Sequence, residues 1–394
     1  MYSDRKPSPS KAQFFFHITI VFLILICSCK VGAEQIRKNS EAKNRQGTLS
    51  LLYQGSPRSI KTDDEKSEKE LFDLVENKIN PYALAVGEGG VVYVSDRDHS
   101  QIKLIGPDRK LSVVAGSYGE QGFGFRDGKA LQAKFHSIRG ISFDRRGDLL
   151  ISDLHNGLIR RLDVDGSVST FAGNIGANEN IDGYRSKATF RKPTSLVVDS
   201  TGQVFVISRG SLRRIGVDGN VNTLIPDCDE LRNTSLILIS QQHCMKDLNA
   251  IALDGSGHIV FVDGPRIGKV SSDGEISILA HLSEETVYKD VKNFEHRLGT
   301  DLKAIFEGDV LRVLHEPKSI AFDEDRNIYF TMNQTVRRLN RDGSATVVAG
   351  KIGKKGHRMG RDSLLDNPSA LTFLSAKKFV LLSGNAIVEL NLSN

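Results

Sequence analysis

Histidine and cysteine are the residues here whose types could do chemistry, and their spacing decides which chemistry. Beyond residue 33, nine histidines stand at positions 99, 136, 155, 243, 258, 281, 296, 315 and 357. None forms H-E-x-x-H and no C-x-x-C pair occurs, so no local metal signature is present. No G-x-S-x-G elbow offers a serine nucleophile. Gly119–Gly124 (GEQGFG) approximates a dinucleotide fingerprint, but it leads into no helix and runs to Asp127-Gly128, so it reads as a connecting loop. Cys228 and Cys244, 16 positions apart, read as one disulfide in an exported chain, with two buried free thiols as the alternative. Three basic pairs recur: Arg160-Arg161, Arg213-Arg214 and Arg337-Arg338. They would make an anion or RNA face or, more simply, solvent-facing strands with alternating stems.

The compartment follows from the first 33 residues. Met1–Gln13 is polar and basic, Phe14–Cys29 is an apolar run of 16 residues, and Val31-Gly32-Ala33 supplies small residues for cleavage after Ala33. These are the parts of a secretory signal peptide. An uncleaved anchor is the alternative, though 16 residues is short for a span of about 20. Without that segment the chain keeps 49 bases and 47 acids, a formal +2, which disfavours a protein built to hold nucleic acid. Asn233, Asn333 and Asn391 each open a glycosylation sequon.

Candidate residues need elements to position them, and internal repetition supplies these. Six similar segments start at Pro81, Ile138, Pro193, Leu248, Pro317 and Pro368, spaced by 57, 55, 55, 69 and 51 residues. Each opens with a β-rich run, followed by a second such as Val91–Asp96 or Asp148–Asp153, and a third carrying basic residues. Four copies then show Asp-Gly before a fourth run, at Gly166, Gly219, Gly274 and Gly343. Asp-Gly between β-branched runs signals a hairpin, because its turn needs positive φ. The repeat is thus a four-stranded antiparallel meander. Six in series predict an all-β, six-bladed propeller, in which stacking in a ring buries the core. The sixth copy ends after its third run, so an N-terminal strand must close the ring. Thr48–Tyr53 and Glu70–Val75 are the two candidates, the first at the more typical distance from Pro81. The organisation expected is a signal peptide over 1–33, a polar linker over 34–47 and the propeller over 48–394. The long fourth spacing places a helix over Ser283–Gly299, with Val287, Val291, Phe294 and Leu298 at helical period.

The pattern resembles the NHL-repeat family. The second copy carries it best, in Ile141–Asp144, Ile151-Ser152-Asp153, Asn156, Ile159, Asp165-Gly166, Ala172-Gly173, Asp182-Gly183, Ala188 and Phe190. The third, fourth and sixth copies are degenerate. The run from Leu71 to Val86 also resembles the start of the first blade in secreted NHL-domain proteins of plants, which favours Glu70–Val75 as the closing strand. The resemblance implies a fold; members of the family serve as binding scaffolds, RNA binders and a peptidyl-hydroxyglycine lyase domain.

In a propeller the first strand of each blade lines a central channel. His136 and His315 stand two positions before their first strands, and Arg191, Lys246 and Asp366 are their equivalents, so these five are expected to ring one channel mouth. Zinc needs three protein ligands and an open position, and cations beside two opposed histidines disfavour it. The expectation is therefore a secreted, non-catalytic scaffold for a protein or glycan partner, with no cofactor and no nucleic acid. The alternative is a metal-dependent lyase or lactonase of the peptidyl-hydroxyglycine lyase or gluconolactonase kind.

Overall fold

A computed structural model describes residues 48–54, 79–106, 109–117, 123–228, 244–271, 274–282, 317–352, 354–356, 358, 363–375 and 377–392. They form six antiparallel sheets. Blade 1 runs Pro81–Val86, Val92–Asp96, Gln101–Ile105, Leu111–Ala115, and blade 2 runs Ile138–Phe143, Leu149–Asp153, Leu158–Leu162, Ser167–Ala172. Blade 3 is Pro193–Val198, Val204–Ser208, Ser211–Ile215, Asn220–Ile225, and blade 4 is Leu248–Leu253, Ile259–Asp263, Arg266–Val270, Ile276–His281. Blade 5 is Ser319–Phe322, Ile328–Met332, Thr335–Leu339, Ala345–Gly350. Blade 6 takes Ala370–Ser375, Lys378–Ser383 and Ala386–Asn391 from the end of the chain and Thr48–Gln54 from its beginning. The closing strand is thus the first of the two candidates, with Thr48 opposite Asn391 and Gln54 opposite Ala386. Glu70–Val75, the proposed helix over Ser283–Gly299 and the first 33 residues lie outside the described residues.

The Asp-Gly hairpins form, with Gly166, Gly219, Gly274 and Gly343 all at φ between 79° and 89°. The turn differs from the two-residue form. In blade 2, Asp163 and Ser167 are the closing pair and the Gly166 N–H donates to the Asp163 carbonyl, leaving a three-residue loop in which glycine alone takes positive φ. The aspartate instead ties the turn down, its carboxylate accepting from the N–H two residues on: Asp165 from Ser167, Asp218 from Asn220 and Asp342 from Ser344.

Alternation along the second strands fills the spaces between blades. Ile151, Phe261, Phe330 and Phe379 are fully buried in interblade clusters, as is Phe190 from the loop before blade 3. The third position of the first strands is small in every copy: Ala83, Gly140, Ser195, Ala250, Ser319 and Ala370. Crowding explains this at Gly140, where a Cβ would lie 2.2 Å from the Thr194 carbonyl oxygen of the next blade. At Ser319 the small side chain crosses the gap, its hydroxyl accepting from the Leu371 N–H at 3.0 Å.

The basic pairs overturn the solvent-facing reading. Arg160, Arg213 and Arg337 are buried, and so is Lys103 at the same strand position. The Arg160 guanidinium donates to Asp153 at 2.9 Å and to Asp127, and also reaches the carbonyls of Lys134 and Arg126. It lies over the rings of Phe125 and Phe135. Arg213 repeats this with Asp182, the Ile181 and Thr189 carbonyls and the Phe190 ring. Arg160 and Arg213 therefore satisfy the polar groups of the loop that joins their blade to the previous one, and that loop adds a short fifth strand, Gly128–Lys129 or Gly183–Tyr184. Blade 4 has Gly268 at the equivalent position, and the Phe261 ring opposite occupies the space.

Candidate functional site

The first strands of all six blades enclose a cavity of about 1110 Å³. Its wall is sorted by strand position. The second residue of each run gives Tyr82, Arg139, Thr194, Asn249, Lys318 and Ser369, a polar collar with two cations. The sixth gives Val86, Phe143, Leu253, Phe322 and Phe373, an apolar girdle. Small residues between them keep the bore open. Among the described residues, none that lines this cavity is acidic.

Arg139 is held in place: its Nε donates to the Ser137 hydroxyl at 3.2 Å, and its guanidinium carbon lies 4.2 Å from the centre of the Tyr82 ring. The Lys318 ammonium donates to the Asn367 side-chain carbonyl at 2.7 Å. Burial lowers its pKa, and the charge of Lys355 lowers it further.

Of the residues expected at the mouth, the four that are described precede the collar residues by three positions and are not among those lining the cavity wall. Each described one is fixed through its backbone N–H by a side chain of its own blade or of the loop leading into it. The His136 N–H donates to Asp153 at 2.7 Å, that of Lys246 to Asp263 at 3.0 Å, and that of Asp366 to the Ser383 hydroxyl at 2.8 Å. In blade 3 a serine replaces the aspartate at this strand end, and the Arg191 N–H turns to the Asn180 side-chain carbonyl at 2.9 Å. His315 lies outside the described residues.

Two neighbours of His136 escaped sequence reasoning. His155, from the turn between the second and third strands of blade 2, lies with its ring 4.6 Å from that of His136, and Phe123 is 5.4 Å away. Burial, with the positive charges of His136, Arg139 and Lys192, pushes the His155 pKa below its ordinary value. In blade 1, His99 instead meets the buried carboxylate of Asp96 at 2.7 Å, and Lys103 meets it at 2.8 Å. Burial raises the Asp96 pKa, but the hydrogen bonds and charge of Lys103, the Asn80 N–H and His99 together outweigh it and the net shift is downward. His99 stands at the strand position of Asn156, whose amide bonds Asp153 in the same way, so this dyad is a turn device.

Cys228 and Cys244 form a disulfide with Cα atoms 5.0 Å apart. The backbone beside it is paired as well, Cys228 N–H to the Met245 carbonyl and Met245 N–H to that of Pro226. Among the sequons, Asn333 is a half-buried turn residue with φ 55°, Asn391 ends the strand between Lys378 and Thr48, and Asn233 lies outside the described residues. No group of three or more potential metal-ligating side chains occurs among the described residues, and no helix there is long and apolar enough to cross a membrane.

This architecture defines a six-bladed β-propeller with an open, polar-collared channel. Its likenesses to solved structures show that fold. A structural genomics protein of unknown function from Bacteroides thetaiotaomicron superposes with a TM-score of 0.56 at 14% identity, covering 89% of this chain and 77% of that one. A gluconolactonase from Xanthomonas campestris does so at 0.52 and 13%, covering 90% and 93%. No family model matches the sequence. Teneurin-3 of Mus musculus is 25% identical over 276 residues, 61% of this chain. The chain spans 10% or less of the length of the curated relatives it matches.

Proposed function

We propose that this chain is an exported NHL-type propeller acting as a binding scaffold, which holds a protein or glycan partner bearing acidic groups against its channel mouth. What supports it is that His136, Arg191 and Lys246, each three positions before a collar residue, are each held through the backbone N–H by a side chain of the frame. Charge presented on a rigid frame avoids the ordering cost of binding, and a cationic rim steers acidic partners. In this reading His315 and Asp366 complete the rim and Asn233, Asn333 and Asn391 are glycosylation candidates. Export is supported by the apolar run Phe14–Cys29 and by the disulfide.

The test is biolayer interferometry of the purified propeller against polygalacturonate and a polyglutamate peptide at low and high salt. Salt-sensitive binding that Arg191→Ala and Lys246→Ala each weaken is expected. Binding of neither probe, or binding indifferent to both substitutions, would overturn the reading. Turnover of a sugar lactone on adding calcium or zinc would move it to the lactonase alternative, which the name of the Xanthomonas neighbour suggests.

A further inference from the structure

The rim accounts for charge outside the bore and leaves the bore itself unexplained. We propose that the channel is a binding site for an amphiphilic organic anion, its acidic head at the polar collar that carries Arg139 and Lys318 and its apolar body running toward Phe143, Phe322 and Phe373. This stands apart from the scaffold reading because it uses other residues and another depth of the fold.

Volume is the first support. A cavity of about 1110 Å³ exceeds what a water file needs and lies just above the usual range for small-ligand sites. Sorting is the second. Positions two and six of a six-residue strand lie about 13 Å apart at the usual rise. Over that distance the wall changes from tyrosine, arginine, threonine, asparagine, lysine and serine to valine, leucine and three phenylalanines. Polar groups at one end and apolar side chains at the other match a ligand that is itself charged at one end and apolar at the other.

Charge is the third support. Arg139 and Lys318 come from blades 2 and 5, and among the described residues neither pairs with a carboxylate. The terminal guanidinium nitrogens of Arg139 are left to donate outward, since its Nε is the nitrogen bonded to Ser137. Lys318 keeps two of its three ammonium hydrogens beyond the one given to Asn367. Lys355 adds like charge near it, so an anion would relieve repulsion as well as accept hydrogen bonds. Tyr82, Thr194 and Ser369 belong to the same collar.

A carboxylate and a phosphate head share this chemistry, and the experiment separates them. Isothermal titration calorimetry of the full propeller compares dodecanoate and dodecyl phosphate below their micelle concentrations, dodecanol below its solubility limit, and acetate. Dodecanoate, dodecyl phosphate or both should bind, and the tighter one identifies the head. Dodecanol and acetate should each bind at least about tenfold more weakly, and Arg139→Gln and Lys318→Gln should each weaken the bound anion by about tenfold. Dodecanol matching the anions would show that no head is read, and acetate matching them would show that no tail is. Either result overturns the proposal, as does failure of both anions to bind. These comparisons need no variant, so a misfolded substitution leaves the test intact.

Discussion

Arg160 and Asp153 meet at 2.9 Å across two adjacent strands of blade 2, and neither side chain reaches solvent. Asp153 also accepts from Asn156 and from the His136 N–H. One buried carboxylate thus fixes the turn between strands, the start of the first strand and the arginine that holds the incoming loop. Burial still dominates its titration and holds its pKa above the ordinary value.

Removing the cation should therefore cost more than removing the pair. Arg160→Met leaves Asp153 and Asp127 without their partner and should destabilise the fold by about 3–5 kcal/mol, the range for breaking a buried ion pair. Arg160→Met combined with Asp153→Leu should cost less than the single change. Urea denaturation of the two variants checks the order.

The disulfide closes 16 positions of sequence, so opening it should cost about 3 kcal/mol on the chain-entropy view. Cys228→Ser with Cys244→Ser should lower the denaturation midpoint by the same amount as thiol reduction of the parent. Denaturation with and without reductant measures this.

His155 sets a pH dependence with a definite sign. Its folded pKa lies below the unfolded value of about 6.5, so between the two the unfolded chain binds more protons. Its contribution is fully present above the unfolded pKa and is lost as pH falls through the folded one. Thermal melting across that acid range should show a steeper loss for the parent than for His155→Gln.

Crowding between first strands predicts an asymmetry at one repeat position. Gly140→Ala drives a methyl into the Thr194 carbonyl and should destabilise by about 1–3 kcal/mol. Ser195→Ala, at the same position of the next blade, should fall within about 0.5 kcal/mol of the parent. Paired melts of the two proteins test the contrast.

Much of this was legible before any coordinates. Strand order, blade count and positive φ after aspartate follow from local spacing, because a blade is a meander whose partners are sequence neighbours. The Cys228–Cys244 bond is legible because the other two of the four cysteines, Cys27 and Cys29, fall in the apolar N-terminal run. Arg160 was misread because charged side chains are exposed by default. Its burial depends on Asp127, 33 residues upstream, and on two phenylalanines of the same loop. The collar was missed by a short step. His136 and Arg191 repeat in register, but the backbone edge that faces the bore begins with Arg139 and Thr194. Thr48–Tyr53 and Glu70–Val75 are both apolar-rich runs of strand length, and the ladder to Ala386–Asn391 is a contact that no local pattern encodes.

That closing ladder also sets how the ring would respond to force. Thr48 and Asn391 face each other at one end of an antiparallel pair, while Gln54 and Ala386 face each other at the far end. Tension carried in through the chain before Thr48 and out through the chain after Asn391 pulls on the same end of both strands. The hydrogen bonds would then fail in sequence, as in a zipper, and not together, as in shear. A propeller anchored by both of its termini would part at this seam under small loads, while its five other blades, each stitched from consecutive chain, stayed whole.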